Sequence, residues 1–335
     1  MEYVTLGKTG LRISRIGFGG IPIQRITEEE CTALFDAVVK AGINYIDTAR
    51  AYTVSEQYLG KALKGRRDRF VIATKSMART REGMAADIEQ SLQNLQTDYI
   101  DLYQIHNPSD AQLDTVLAPG GAMEALLEAK AQGKIGHIGL TAHALSVFER
   151  ALTLDEIETV MFPYNIVERQ GEAQIAKARE KNVGFIAMKP LAGGAIEDAT
   201  LAMRFVLSNP DVTVVIPGMY CEAEVAQNVA AAENTAPLTQ EERASASEIR
   251  SRLGEHFCRR CNYCAPCTVG ISIPSVFLFE GYLSRYGLEK WARERYATLS
   301  VKASSCVDCG ACEERCPYHL PIRQMLKDCA EKFGE

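Results

Sequence analysis

Eight of the eleven cysteines in this 335-residue chain form two runs near its end: Cys258, Cys261, Cys264, Cys267 and Cys306, Cys309, Cys312, Cys316. Three thiolates spaced two residues apart can wrap one corner of an iron–sulfur cubane, and a fourth completes the ligand set. Structural zinc also uses paired Cys-x2-Cys motifs, but it takes four ligands per site and has no use for triplets. Disulfides fit poorly in a chain that shows no export signal. The ligand arithmetic therefore points to two 4Fe–4S clusters and one-electron chemistry. Cys31, Cys221 and Cys329 match no ligand spacing and are expected as buried thiols.

The second run, followed by Pro317, has the spacing of a bacterial ferredoxin motif, in which the fourth cysteine serves the other cluster. By that rule one cluster takes Cys258, Cys261, Cys264 and Cys316, and the other takes Cys306, Cys309, Cys312 and Cys267. The first run departs in having one residue fewer before its last cysteine, and Thr268 where proline is usual. The tails also repeat: Gly270-Ile271-Ser272-Ile273-Pro274 corresponds to Leu320-Pro321-Ile322. Two similar half-domains facing each other are the simplest reading. The helical-looking insert 275–303 resembles the α-helical ferredoxin module, with Trp291 and several tyrosines available to pack over the clusters.

A second constellation lies far from the cysteines. Asp47, Tyr52, Lys75 and His106 each stand at the end of an apolar run or in the loop after it. A Tyr can protonate a developing alkoxide, a Lys held by an Asp can lower the Tyr pKa, and a His can orient a carbonyl oxygen. Taken singly, each has an ordinary reading: Asp47 as a turn cap, Lys75 as a surface residue, His106 as a satisfied polar group. The joint pattern carries the argument.

Positioning these four is the task of the preceding elements. Apolar runs at 15–19, 45–48, 70–74, 100–105, 137–141, 159–162, 184–188 and 213–216 read as strands. Helical patterns at 28–40, 56–63, 81–95, 122–132, 170–181 and 222–231 lie between them. Eight alternating units predict an α/β fold, a (β/α)8 TIM barrel whose strand ends gather at one mouth; an open doubly wound sheet would give a similar string. The expected organisation is a barrel over 1–235, a linker helix within 236–255 opened by a capping box at Thr239 and Glu242, and a small, mostly α-helical ferredoxin-like domain over 256–335.

The motifs Asp47-Thr48-Ala49-x-x-Tyr52, Ala73-Thr74-Lys75 and Asp101-Leu102-Tyr103-Gln104-Ile105-His106 resemble the catalytic tetrad of the aldo-keto reductases. The similarity extends from Leu6-Gly7-Lys8-Thr9-Gly10-Leu11 through Lys189-Pro190-Leu191-Ala192-Gly193-Gly194 to Ile216-Pro217-Gly218-Met219, over about residues 1–232. A branch of that family carries this same ferredoxin-like tail. The resemblance implies Tyr52 as acid, Lys75 and Asp47 as its pKa partners, and His106 as substrate orienter. It also implies NAD(P)(H) at the barrel mouth, with contacts from Gly19, Gly20, Thr141, Lys189, Leu191, Gly193, Gly218, Met219, Glu224 and Asn228. Many members grip a 2′-phosphate with a Lys and an Arg where this chain has Gly218 and Glu224, so charge alone weakens that grip. Met188 replaces an aromatic that stacks on nicotinamide, Thr141-Ala142 a Ser-Asn pair, and Met161 an amide-binding Gln; Lys189 is a candidate phosphate or carboxamide contact. The stretch Gly17-Phe18-Gly19-Gly20 is a weak phosphate-loop signal because no helix starts at its third glycine, and close backbone approach is the better reading.

Bulk properties set the remaining bounds. Net charge is −6, with 47% apolar and 24% charged residues, which argues against nucleic acid as partner. No run approaches the about 18 apolar residues of a membrane span, and no signal peptide opens the chain, so a cytoplasmic location is expected. The leading function is a metal-binding oxidoreductase, an NAD(P)H-dependent carbonyl reductase or alcohol dehydrogenase with a small-molecule substrate. The alternative is an electron-transfer oxidoreductase in which a ferredoxin-like partner feeds electrons through the clusters to a substrate or flavin in the barrel. No flavin motif is present, and a flavin at the barrel mouth stays open as mediator.

Overall fold

The computed structural model describes residues 1–335 and divides them into two compact units: 1–165, 169–190 and 198–238 form one, and 166–168, 191–197 and 239–335 the other. No helix is long and apolar enough to cross a membrane.

In the first unit an antiparallel hairpin, β1 (Tyr3–Thr5) and β2 (Arg12–Ser14), precedes the barrel. Its three-residue strands are too short for alternation to announce them. The barrel strands are β3 (Phe18–Gly19), β4 (Tyr45–Asp47), β5 (Val71–Ser76), β6 (Ile100–His106), β7 (Ile135–Thr141), β8 (Thr159–Pro163), β9 (Gly184–Met188) and β10 (Val214–Ile216). They lie parallel in sequence order. Parallel bridges Ile16–Val215 and Gly19–Gly218 then join the first strand to the last. That closure decides between a barrel and an open sheet.

Inside the barrel, Tyr45, Ala73, Leu102, Met161, Ile186, Val214 and Ile216 pack with Leu6 and Ile13 of the hairpin segment. Filled layers of this kind hold the strand ends in register. Outside, helices such as Glu28–Lys40 and Arg81–Leu95 bury one face, the first opened by a Thr27/Glu30 capping box. Three further helices, Asp110–Leu117, Leu145–Ala151 and Ala199–Leu207, were not legible from periodicity. The first two are only two turns long, and the third buries a charged residue, Arg204, among its apolar ones.

The second unit contains the helix Gln240–Gly254, whose Thr239 Oγ1 accepts from Glu242 N at 3.1 Å while Glu242 Oε2 accepts from Thr239 N at 2.8 Å. The predicted insert resolves into two helices, Ile273–Ser284 and Glu289–Ala297. Trp291 lies against Tyr282, ring centroids 4.5 Å apart, which ties the two helices together.

The internal repeat recurs in the backbone. Arg260 and Asp308 share φ 58°, Asn262 (φ 67°) matches Gly310 (80°), and Gly270 (85°) matches His319 (51°). Left-handed residues thus recur at matched steps of the two runs. A helix follows each run, Ile273–Ser284 and Ile322–Phe333.

Candidate functional site

β4 ends on Asp47, β5 carries Lys75 and β6 ends on His106, so parallel registration brings three tetrad residues to one rim. Lys75 is 2% exposed, which removes its reading as a surface residue. Its Nζ donates to Asp47 Oδ1 at 2.5 Å and to the Thr48 carbonyl at 2.8 Å. Tyr52 lies in the loop after β4, with Lys75 Nζ 5.0 Å from its ring centroid. The His106 ring meets it edge-on, centroids 6.2 Å apart. Burial pushes the Lys75 pKa down, and the Asp47 carboxylate opposes the shift. Burial likewise pushes Asp47 up, against the pull of Lys75. The result is a water-excluded ion pair beneath the phenol.

Two polar residues outside the four-residue constellation complete this support. Gln104 Nε2 donates to Asp47 Oδ2 at 3.1 Å, so Asp47 is held from both sides. Glu56, 2% exposed, accepts from Arg50 Nη1 (2.7 Å), Thr74 Oγ1 (2.8 Å), Ser91 Oγ (2.8 Å) and Asn94 Nδ2 (3.0 Å). Its charge also favours the ammonium form of Lys75. An acidic residue in an exposed-looking helical stretch gave no sign of this role. Glu56→Ala leaves four donors, among them the half-buried Arg50 guanidinium, facing a void, with an expected cost of about 3–5 kcal/mol, read as a lower denaturant midpoint for barrel unfolding.

The nucleotide candidates divide. Gly19 N donates to the Pro217 carbonyl at 2.9 Å and Gly20 N to the Asp47 carbonyl at 2.8 Å. A Cβ on either would come within 2.8 and 2.9 Å of those same oxygens. Close backbone approach is thus what these glycines provide. Thr141, 1% exposed, accepts through Oγ1 from Asn107 N at 3.0 Å. Lys189 has φ 59°, and its carbonyl accepts from Asn165 Nδ2 at 2.9 Å. Met219 and Asn228 are buried, Gly218 pairs with Gly19, and Glu224 Oε2 accepts from Tyr220 N at 2.9 Å. One cation not foreseen, Arg25, lies 5.4 Å from the centroid of the Tyr220 ring. Leu191 and Gly193 fall in the other unit, where the Gly193 carbonyl accepts from Arg285 Nε at 3.2 Å.

In that unit, Cys258, Cys261, Cys264 and Cys316 line one cavity, and Cys267, Cys306, Cys309 and Cys312 line a second. The fourth cysteine of each run therefore faces the other run's cavity. Four thiols converging on one space suit the donor set of a 4Fe–4S cluster. Burial pushes Cys258 up to about 11 and Cys264 up to about 12, so their thiolates need a nearby positive charge of the kind iron supplies. Thr268, the residue in place of proline, puts Oγ1 3.3 Å from Cys309 Sγ. Tyr318, with Arg259 stacked on it at 3.9 Å, lines the first cavity; Trp291 lines neither, being engaged with Tyr282. Cys31 and Cys329 are buried as expected, whereas Cys221 is only half-buried at the start of the helix Glu222–Glu233.

Comparison with known proteins matches residues 15–200 to the aldo/keto reductase family and residues 257–321 to a 4Fe-4S dicluster domain. An L-galactose dehydrogenase of Arabidopsis thaliana is 28% identical over 306 residues, covering 76% of this chain and 94% of that protein. Among solved structures, the holo form of aldo-keto reductase AKR11C1 from Bacillus halodurans superposes with a TM-score of 0.65 at 29% identity, over 74% of this chain and 96% of that one. An aldo-keto reductase from Klebsiella pneumoniae, solved in complex with NADPH, shares the fold with a TM-score of 0.65 at 24% identity, over 74% of this chain and 95% of its own.

Proposed function

The chain belongs to the aldo/keto reductase family and carries a 4Fe-4S dicluster domain after its barrel, and from that premise we propose that it reduces a carbonyl to an alcohol with NAD(P)H while holding two 4Fe–4S clusters. The observation that carries this reading is the buried Asp47–Lys75 pair set under the Tyr52 ring. A bound nicotinamide supplies the hydride to the carbonyl carbon. Tyr52 donates its phenolic proton to the developing alkoxide, so that one hydride and one proton yield the alcohol. The Lys75 ammonium stabilises the phenolate left behind, Asp47 fixes Lys75, and Gln104 fixes Asp47. His106, whose ring meets that of Tyr52 edge-on, orients the carbonyl oxygen. Its test is anaerobic oxidation of NADH or NADPH on addition of aldehydes and ketones; no oxidation across such a set would remove the reading.

The dinucleotide preference follows from charge. Gly218 offers no side chain, and Glu224 places a carboxylate where many relatives carry the arginine for a 2′-phosphate. Glu224→Arg is therefore expected to tighten NADPH binding about tenfold or more while leaving NADH nearly unchanged, since one charge-assisted hydrogen bond contributes about 1.5–3 kcal/mol. Fluorescence titration with each nucleotide measures it.

A second reading is favoured by the exposure of Cys309 beside Val307, which is 61% exposed. A cluster at the surface suits exchange with a small redox protein, the chain then acting as an electron-transfer oxidoreductase. Bleaching of the cluster absorption by NAD(P)H alone would favour it and would require a mediator such as flavin, because nicotinamide passes two electrons and a cluster one.

A further inference from the structure

The two cysteine runs share a backbone but not their charges. Arg260 and Asp308 hold matched positions, each between the first and second cysteine of its run, each with φ 58°. Asp308 is 53% exposed and faces Arg323 at 3.5 Å and Lys327 at 3.6 Å, so solvent screens that group. Arg260 differs. Its side chain is 10% exposed, and its Nη2 lies 3.0 Å from Oε1 of Glu168, which is 0% exposed. The Arg260 backbone N–H donates to Cys258 Sγ at 3.4 Å, and Arg260 and Cys258 both line a neighbouring cavity of about 280 Å³, distinct from the one the four cysteines share.

Reduction of a 4Fe–4S cluster adds one electron and hence one negative charge. A buried cation beside it favours the reduced form, and a buried anion disfavours it. The cation here is joined through its own backbone N–H to a ligand cysteine, and the anion is paired with its side chain.

We infer that the Arg260–Glu168 pair sets the reduction potential of the cluster held by Cys258, Cys261, Cys264 and Cys316, Arg260 raising it and Glu168 limiting the rise. Arg260 is a positioning residue that acts through the cluster rather than a ligand of it. The inference rests on the reading of the eight cysteines as two clusters. It distinguishes two otherwise similar sites: one is tuned by a buried charge pair, the other by exposed, screened groups.

The test is a potentiometric titration of the anaerobically purified holoprotein, followed by electron paramagnetic resonance, with iron and sulfide content determined first. Glu168→Gln keeps shape and hydrogen bonding while removing the anion, and is expected to raise the midpoint of one cluster signal and leave the other in place. Arg260→Gln is expected to lower that same midpoint, and Arg260→Lys to restore it toward the wild-type value. Full cluster content with unmoved midpoints in Glu168→Gln would overturn the inference, as would equal movement of both. A wild-type protein with no reduced 4Fe–4S signal would instead overturn the two-cluster reading beneath it.

Discussion

Tyr52→Phe is expected to lower kcat/KM for carbonyl reduction by about 10²–10⁴-fold, the usual contribution of a positioned general acid. The substitution removes one oxygen and leaves the ring that Lys75 and His106 face, at 5.0 and 6.2 Å. The buried Asp47–Lys75 pair keeps its bonds to the Thr48 carbonyl and Gln104 in the variant. Nucleotide affinity and iron content are therefore expected to stay at wild-type values, so the loss falls on the chemical step. Steady-state kinetics with the aldehyde or ketone turned over fastest, run beside an iron assay, separates the two. Undiminished turnover in the variant would remove Tyr52 from the role of acid and with it the hydride reading of the barrel.

Extraction of iron by an oxidant and chelator is expected to unfold residues 256–335 while the barrel persists. The core of that region includes Cys264, Cys312 and Cys316 among Ile271, Ile273, Val276, Phe277, Leu320, Ile322 and Leu326. The cysteines proposed as cluster ligands are thus part of the packing, and a segment this small has only a marginal apolar core of its own. Metal binding in such modules is folding free energy, on the order of 10 kcal/mol for structural zinc sites. The barrel has a separate core built on its own strands and helices. Limited proteolysis of the stripped protein should accordingly cut throughout 256–335 and spare 1–230, with the loss of helical circular dichroism confined to the smaller part. Equal protease resistance before and after stripping would show that the module folds without its metal.

Both constellations were legible as residue types at spacings: eight cysteines in two near-repeats, and four polar residues each closing an apolar run. The partners that make them work were not. Gln104 and Glu56 read as polar residues of a strand and a helix, and nothing in their neighbourhood along the chain points to Asp47 or Arg50. Their side chains act on groups 57 and 6 residues away, brought close by strand register in one case and by the start of a helix in the other. The glycines Gly19 and Gly20 could be read either as a phosphate cradle or as close packing. The choice required knowing that Pro217 and Asp47 carbonyls stand opposite them, a consequence of barrel closure. The short helices Asp110–Leu117 and Leu145–Ala151 escaped notice because two turns carry too few positions for a 3.6-residue period to emerge.

The sequence by itself determined the chemistry on offer: thiolate sets suited to iron–sulfur clusters, a Tyr with Lys, Asp and His to move a proton, and alternating elements able to carry them. Those properties are local, residing in side-chain type and in spacings of a few residues. Tertiary structure alone decided which thiols share a cavity, that Lys75 is buried against Asp47 rather than exposed, and that Arg260 meets Glu168 from 92 positions away. These outcomes depend on which distant segments register beside each other. Register is chosen by the packing of the whole core, and no short stretch of the chain contains it.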